Sequence, residues 1–235
     1  MQLSIVIPTL NEAEHLEQAV GCARKHAWRG APEIIVSDCG SRDETVAVAQ
    51  RLCVHVVQSV PHADSKAAAL NRGAACAGGN VLLFLDADSL LPAGYDAAIE
   101  CAMAKPGAIG GAFQFALDGP QWRLRIVEVV NRIRYRLWPR YYGDQGLFVR
   151  VDVFRRAGAF PKRRLMEAAV FSGRLARFGR LVLVNKCMKT SPRRFVSGGI
   201  LRVLTFDAWL WWLDWLGYNT DSYAAGYWRE NHERG

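Results

Sequence analysis

Four short runs rich in apolar residues, at 3–7, 33–37, 54–58 and 81–85, are separated by stretches in which apolar residues return at helical spacing. Strands joined by helical crossovers pair in parallel, with helices covering the faces of the sheet. That alternation constrains the fold more than any other feature of the chain. The first run is apolar throughout, as a strand buried on both faces requires. Asn11 is placed to cap the helix that follows, in which Leu16, Ala19 and Ala23 face inward. Val46, Ala49 and Leu52 mark a second helix and residues 65–76 a third, before Gly78, Gly79 and Asn80 break the chain ahead of the fourth strand. The expectation is an α/β chain built on a mixed, mostly parallel, Rossmann-like sheet flanked by helices.

With 235 residues, 51% of them hydrophobic and 22% charged, the chain can bury one sizeable core. Met1 runs straight into the first strand and leaves no room for a leader peptide, so a cytoplasmic location is expected. Six scattered cysteines, without Cys-x-x-Cys or clustered histidine, suggest neither a zinc site nor a disulfide framework.

The net charge of +8 is uneven, with six arginines against Glu128 alone between residues 121 and 140. There Ile126, Val130, Ile133 and Leu137 predict a helix over 122–138 with an inward apolar stripe and a basic outer surface. Such a surface attracts phosphorylated substrates or anionic lipid. No nucleic-acid-binding motif accompanies it, so nucleic acid is not an expected partner. Residues 200–217 carry Phe206, Trp209, Trp211, Trp212 and Trp215, with Asp207 and Asp214 sharing one narrow polar stripe. A helix so apolar needs cover. The options, in order, are its own domain, a homodimer contact, and the interface of a membrane at its inner face.

Ligands of open parallel sheets gather beyond the carboxyl ends of the strands. Pro8, Asn11 and Glu12 fall after the first strand, Asp38 after the second, and Asp86 and Asp88 after the fourth. Two carboxylates one residue apart offer hard oxygens to Mn2+ or Mg2+, although an Asx-capped turn has the same signature. Asp38 can accept the N–H groups of a base, Glu12 can accept ribose hydroxyls, and Lys66 can meet a diphosphate. Asp144 and Gln145 lie in a glycine-bounded loop with Gly143, where an acceptor pocket can form. Arg193 and Arg194, expected in a loop, offer paired donors to phosphate oxygens.

Ile-Val-Ile-Pro-Thr-Leu-Asn-Glu at 5–12, Ile-Ile-Val-Ser-Asp-Cys-Gly-Ser-Arg-Asp-Glu-Thr at 34–45 and Leu-Phe-Leu-Asp-Ala-Asp at 83–88 together resemble family 2 glycosyltransferases. The resemblance implies a GT-A fold, a nucleotide-diphosphate sugar donor, a divalent metal, a small-molecule or lipid acceptor and, usually, inversion. It matches Asp38 to the base-reading carboxylate, and Asp86 and Asp88 to the metal-binding motif. One domain over 1–199 is expected, with a nucleotide-binding half near 1–90, an acceptor-side half near 91–199 and a helical extension over 200–235. Stretches 142–148, 165–167 and 190–195 resemble a small bacterial branch assigned to arsenosugar biosynthesis.

One departure stands out: the family pattern has Glu-Asp where this chain has Glu167 and Ala168. The missing aspartate is the expected general base. Glu167 or Asp144 would have to replace it, unless the acceptor is already an anion or transfer proceeds with retention. A catalytically impaired nucleotide binder is the alternative. A nucleotidyltransferase would also use paired carboxylates and a metal, but the chain lacks the Gly-rich, basic loop expected after its first strand.

Overall fold

A computed structural model describes residues 1–59 and 65–224. It opens with β1 (Leu3–Thr9), α1 (Ala13–His26), β2 (Glu33–Asp38), α2 (Thr45–Arg51), β3 (His55–Gln58) and α3 (Lys66–Ala75). Next come β4 (Val81–Phe84), the short β5 (Ser89–Leu90), α4 (Tyr95–Met103), β6 (Ala108–Leu117) and α5 (Trp122–Leu137). A 3-10 turn at Gly143–Gln145 leads to β7 (Phe148–Arg150), α6 (Val151–Arg156) and α7 (Glu167–Leu175). Last are β8 (Arg180–Thr190), α8 (Arg193–Gly198) and α9 (Ile200–Trp215).

The strands form one sheet in the order β3-β2-β1-β4-β7-β6-β8-β5. β3, β2, β1 and β4 run parallel, as do β6 and β8, whereas β7 and β5 are antiparallel to their neighbours. The sheet is therefore mixed and mostly parallel, as the alternation of elements requires. Leu16 and Val20 of α1, Val48 of α2 and Ile99 of α4 cover one face, over Ile5, Ile7 and Leu83. Leu70 of α3, Leu124 and Val127 of α5 and Phe171 of α7 cover the other, over Val6, Leu82 and Phe84. Full burial of such a side chain contributes about 1.5–3 kcal/mol. Gly73 lets α3 press on the sheet, since a Cβ there would lie 2.5 Å from Val6 Cγ1. Ser65 caps this helix by accepting from the Ala68 N–H, which sets Lys66 at its first turn beside the carboxyl ends of the strands.

Three local expectations are corrected. Asn11 does not cap α1: it sits at φ 55 and its side chain accepts from the Arg42 N–H. Thr45 and Asp43 instead accept from the N–H groups of Glu12 and Ala13, so the start of α1 is satisfied from the loop before α2. Arg193 and Arg194 open a helix, α8, rather than lying in a loop. The stripe read as the core face of α5 points outward, leaving Ile126, Ile133 and Leu137 exposed, while Leu124, Val127, Asn131 and Arg134 are buried.

α9 is inverted in the same sense. Asp207 and Asp214 are buried, and Trp209, Trp212 and Trp215 are exposed. Each carboxylate is held by guanidinium groups from the domain: Arg194 grips Asp207, while Arg140 and Arg163 converge on Asp214. The ion pairs fix the orientation of α9, and burial of Val203, Leu210 and Leu213 holds the helix to the domain. Asp207→Ala leaves Arg194 without its carboxylate partners, and we expect it to lower unfolding stability by about 3 kcal/mol. The double change Arg194→Met, Asp207→Leu should restore most of that loss in denaturant titrations. The expected extension 200–235 is described here only through Ala224, and residues 225–235 lie outside the described residues.

Candidate active site

β1 and β4 end side by side, and the chain beyond β4 turns through Asp86, Ala87 and Asp88. Ala87 joins the core, so the alternation of side chains turns both aspartates away from it. The turn is fixed from two sides. Ser89 N–H donates to the Asp86 carbonyl at 3.0 Å, and Ser191 N–H donates to the Asp88 carbonyl at 3.2 Å. A cavity of about 520 Å3 opens here, lined from β1 by Pro8 and Thr9 and beyond it by Glu12, Lys66, Asp86 and Asp88. Gly143, Asp144, Glu167, Ala168, Arg193 and Arg194 close its other side.

Lys66 is the hub. Its Nζ lies 2.7 Å from Asp86 Oδ1 and 4.0 Å from Glu167 Oε1. Burial opposes its charge, but these carboxylates outweigh burial and hold the ammonium charged well above the ordinary lysine range. A Cβ on Gly143 would stand 3.0 Å from that Nζ and 3.1 Å from Asp86 Oδ2, so glycine lets the 3-10 turn close over the pair.

Arg193 bridges the two halves of the site, with Nη2 at 2.7 Å from Glu12 Oε1 and 3.4 Å from Asp88 Oδ2. Among the described residues the Asp88 carboxylate otherwise accepts a long hydrogen bond from Thr190 Oγ1, at 3.4 Å. Burial first and the Asp86 charge second raise its proton affinity. Glu167 at the start of α7 is likewise raised by burial, with Lys66 opposing. Asp144 is pushed up to about 6, mainly by burial, and its Oδ1 has no hydrogen-bond partner.

Because the folded Asp144 carboxyl binds its proton more tightly than an ordinary aspartate, its ionisation works against the fold above about pH 6, and that cost fades as pH falls below it. Neutralising it with Asp144→Asn should raise metal-free stability at neutral pH, by up to about 3 kcal/mol. The gain should vanish near pH 4 in thermal melts across pH.

Three expected site residues stand off the cavity. Asp38 is buried behind it, its carboxylate taken by Thr9 Oγ1, Gly40 N–H, and the N–H and Oγ of Ser41. Asn11 is turned to the solvent-exposed Arg42 loop. Gln145, expected on the acceptor side, is fully buried and accepts from Arg134 and the Tyr142 N–H. Arg194 lines the cavity but is engaged with Asp207.

Several residues in or behind the lining were not foreseen. Arg134, counted with the basic surface, is buried behind it, with its guanidinium 4.0 Å from the ring centroid of the lining Tyr142 and 5.0 Å from that of Trp211. Its signal was helical phase, since it shares a face with Val127 and Asn131. Arg164 and Met166, just before α7, and Trp211, on α9, carried no local sign of a place in the cavity, because only the fold brings these two segments together.

Residues 4–158 match the family model described as Glycosyl transferase family 2. The chain belongs to this family. Comparison with curated proteins gave no match. Among solved structures, this glycosyltransferase domain is similar to the mannosyltransferase PcManGT from Pyrobaculum calidifontis, in complex with GDP-Man and Mn2+. The TM-score is 0.64 at 20% identity, over 80% of this chain and 56% of that one. S. aureus TarS gives a TM-score of 0.60 at 18% identity, over 86% of this chain and 66% of its own. Glucosyl-3-phosphoglycerate synthase from Mycobacterium tuberculosis, with Mn2+, UDP and glucosyl-3-phosphoglycerate, gives 0.57 at 21% identity, over 79% of this chain and 70% of that one. These likenesses establish the GT-A fold. The glycosyltransferase chain spans little more than half of PcManGT and just under two thirds of that TarS structure.

Proposed function

We propose that this glycosyltransferase moves a sugar from a nucleotide-diphosphate donor to a hydroxyl of a small-molecule or lipid acceptor, with inversion. The observation that carries the reading is the meeting of Asp86, Asp88 and Glu167 around Lys66 in one cavity beyond the parallel strands. The nucleoside would lie along Pro8, Thr9 and Leu10, with Glu12 within reach of the ribose. Asp38 would read the base only by giving up part of its own loop bonding, so its main contribution is to shape the loop at Gly40 and Ser41.

Mn2+ or Mg2+ fits Asp86 and Asp88. They are hard oxygen donors, and the proton affinity of Asp88 is raised partly by its neighbour's charge, which a cation would offset. Among the described residues no group of three or more metal-ligating side chains forms a cage. The ion would therefore share its coordination with diphosphate oxygens and water, as Mg2+ commonly does. Bound there, it supplies positive charge to the leaving diphosphate.

Glu167 accepts the proton of the acceptor hydroxyl as that oxygen attacks the anomeric carbon. The bond from that carbon to the diphosphate oxygen breaks, and Lys66 and Arg193 face the charge left behind. Ala168, buried beside Glu167, favours a second reading in which nucleotide binds without transfer. The motifs at 142–148, 165–167 and 190–195 support a place in the bacterial branch assigned to arsenosugar biosynthesis. The test is release of nucleoside diphosphate from UDP-, GDP-, CDP- and dTDP-sugars with Mn2+ and mixed acceptors. Release from one donor supports transfer. Binding without release, converted to release by Ala168→Asp, supports the second reading.

A further inference from the structure

Donor and acceptor binding leave the exposed apolar faces of α5 and α9 unexplained. On α5, Trp122, Ile126, Val129, Ile133 and Leu137 repeat at intervals of four, three, four and four, and all are exposed, Trp122 by 69% and Leu137 by 64%. This spacing stacks them along one narrow stripe opposite the buried Leu124, Val127 and Asn131. By helical phase, Arg123 flanks the stripe on one side and Arg132 and Arg136 on the other. α9 packs beside α5, where Trp211 meets Arg134. Its outward arc holds Leu201, Trp209, Trp212, Trp215 and Leu216, with Leu201 79% exposed and Arg202 as the one charged residue of that arc.

Two adjacent helices thus bury their carboxylates and present tryptophan and leucine to the outside, an arrangement contrary to the usual burial of apolar groups. We propose that this face seats the protein on an anionic lipid bilayer. Tryptophan and leucine enter the headgroup boundary, while the flanking arginines meet lipid phosphates. Charge argues against a second copy as the occupant. A two-fold contact through this face would bring two arginine-bearing surfaces together with no exposed carboxylate of α5 or α9 between them, since Glu128 is buried and paired with Arg125 and Asp207 and Asp214 are buried as well. Spanning is not involved, since no described helix is long and apolar enough to cross a membrane.

The proposal is tested by co-sedimentation of the full chain with phosphatidylcholine vesicles, with and without phosphatidylglycerol, alongside light scattering for mass. Partitioning onto the phosphatidylglycerol vesicles that weakens with added salt is the expected result. Trp212→Glu with Trp215→Glu should lower it at least about tenfold, as should Arg123→Gln with Arg136→Gln. None of these side chains lines the cavity. Unchanged nucleotide binding in the variants shows that the fold survives. Absence of partitioning by the wild type overturns the proposal. So does a wild-type dimer that the tryptophan variants convert to monomer, which would assign the face to self-association.

Discussion

Asp88→Asn should reduce glycosyl transfer by about a thousandfold and weaken Mn2+-dependent nucleotide binding by more than about a hundredfold. Asp86 already has a partner in Lys66 at 2.7 Å, whereas the Asp88 carboxylate makes 3.4 Å contacts to Arg193 and Thr190 among the described residues. It is therefore the carboxylate with the most to gain from a cation, and its loss the more damaging to metal binding. The isosteric amide removes charge without removing volume. Because burial and Asp86 oppose ionisation of Asp88, neutralising it relieves rather than strains the metal-free fold. Melting of the variant at or above the wild-type temperature in metal-free buffer is expected alongside the lost activity. Transfer within tenfold of wild type would contradict the assigned role.

Glu167→Gln separates binding from chemistry. If Glu167 is the proton acceptor proposed above, it should be worth about a hundred- to ten-thousandfold in turnover, while donor affinity changes little because Lys66 keeps its nearer partner Asp86, at 2.7 Å against 4.0 Å for Glu167. The pH dependence gives the sharper readout. Burial raises the Glu167 carboxyl above its ordinary 4.5 and Lys66 partly restrains it. A base works only when ionised, so turnover rises with pH through an inflection above that ordinary value. Lys66→Met should move the inflection higher still, by removing the restraining cation. Stability runs the other way: the raised carboxyl costs folding energy above its folded value, and that cost is relieved as pH falls through it. A glutamine variant that keeps the acidic limb of the profile would show that another group is the base, and Asp144 is the carboxyl next in line.

The sheet was legible because burial on both faces leaves strands such as β1 and β4 continuously apolar, and because the crossover helices keep a regular period. The strand-end carboxylates were legible for the same reason: once four parallel strands are placed, their carboxyl ends are placed too. β5 and β7, at two and three residues, were too short for any period to show. α5 and α9 were misjudged through a sound rule applied where it fails. Apolar stripes usually face the core, but here arginine–carboxylate pairs from distant segments take the inner face of α9, and no local pattern announces such pairs. Asp38 looked like an open hydrogen-bond acceptor in the sequence. Its loop closes on it, because the turn after β2 brings its own N–H groups and Ser41 back to the carboxylate.

The cavity ties these elements together. β1, α3, the turn after β4, the Gly143–Gln145 turn and α7 all contribute polar groups to it, the turn after β4 two of them, and α8 brings Arg193 across it. The same α8 holds α9 through Arg194, so the outward tryptophan face and the cavity share one short helix as their link. Calorimetric titration of the purified chain with UDP, GDP, CDP and dTDP, each with and without Mn2+, tests the central reading most directly. One nucleotide binding in the micromolar range only when Mn2+ is present is the expected result. Binding of none, or binding indifferent to the metal, would contradict a metal-dependent nucleotide-sugar site at Asp86 and Asp88.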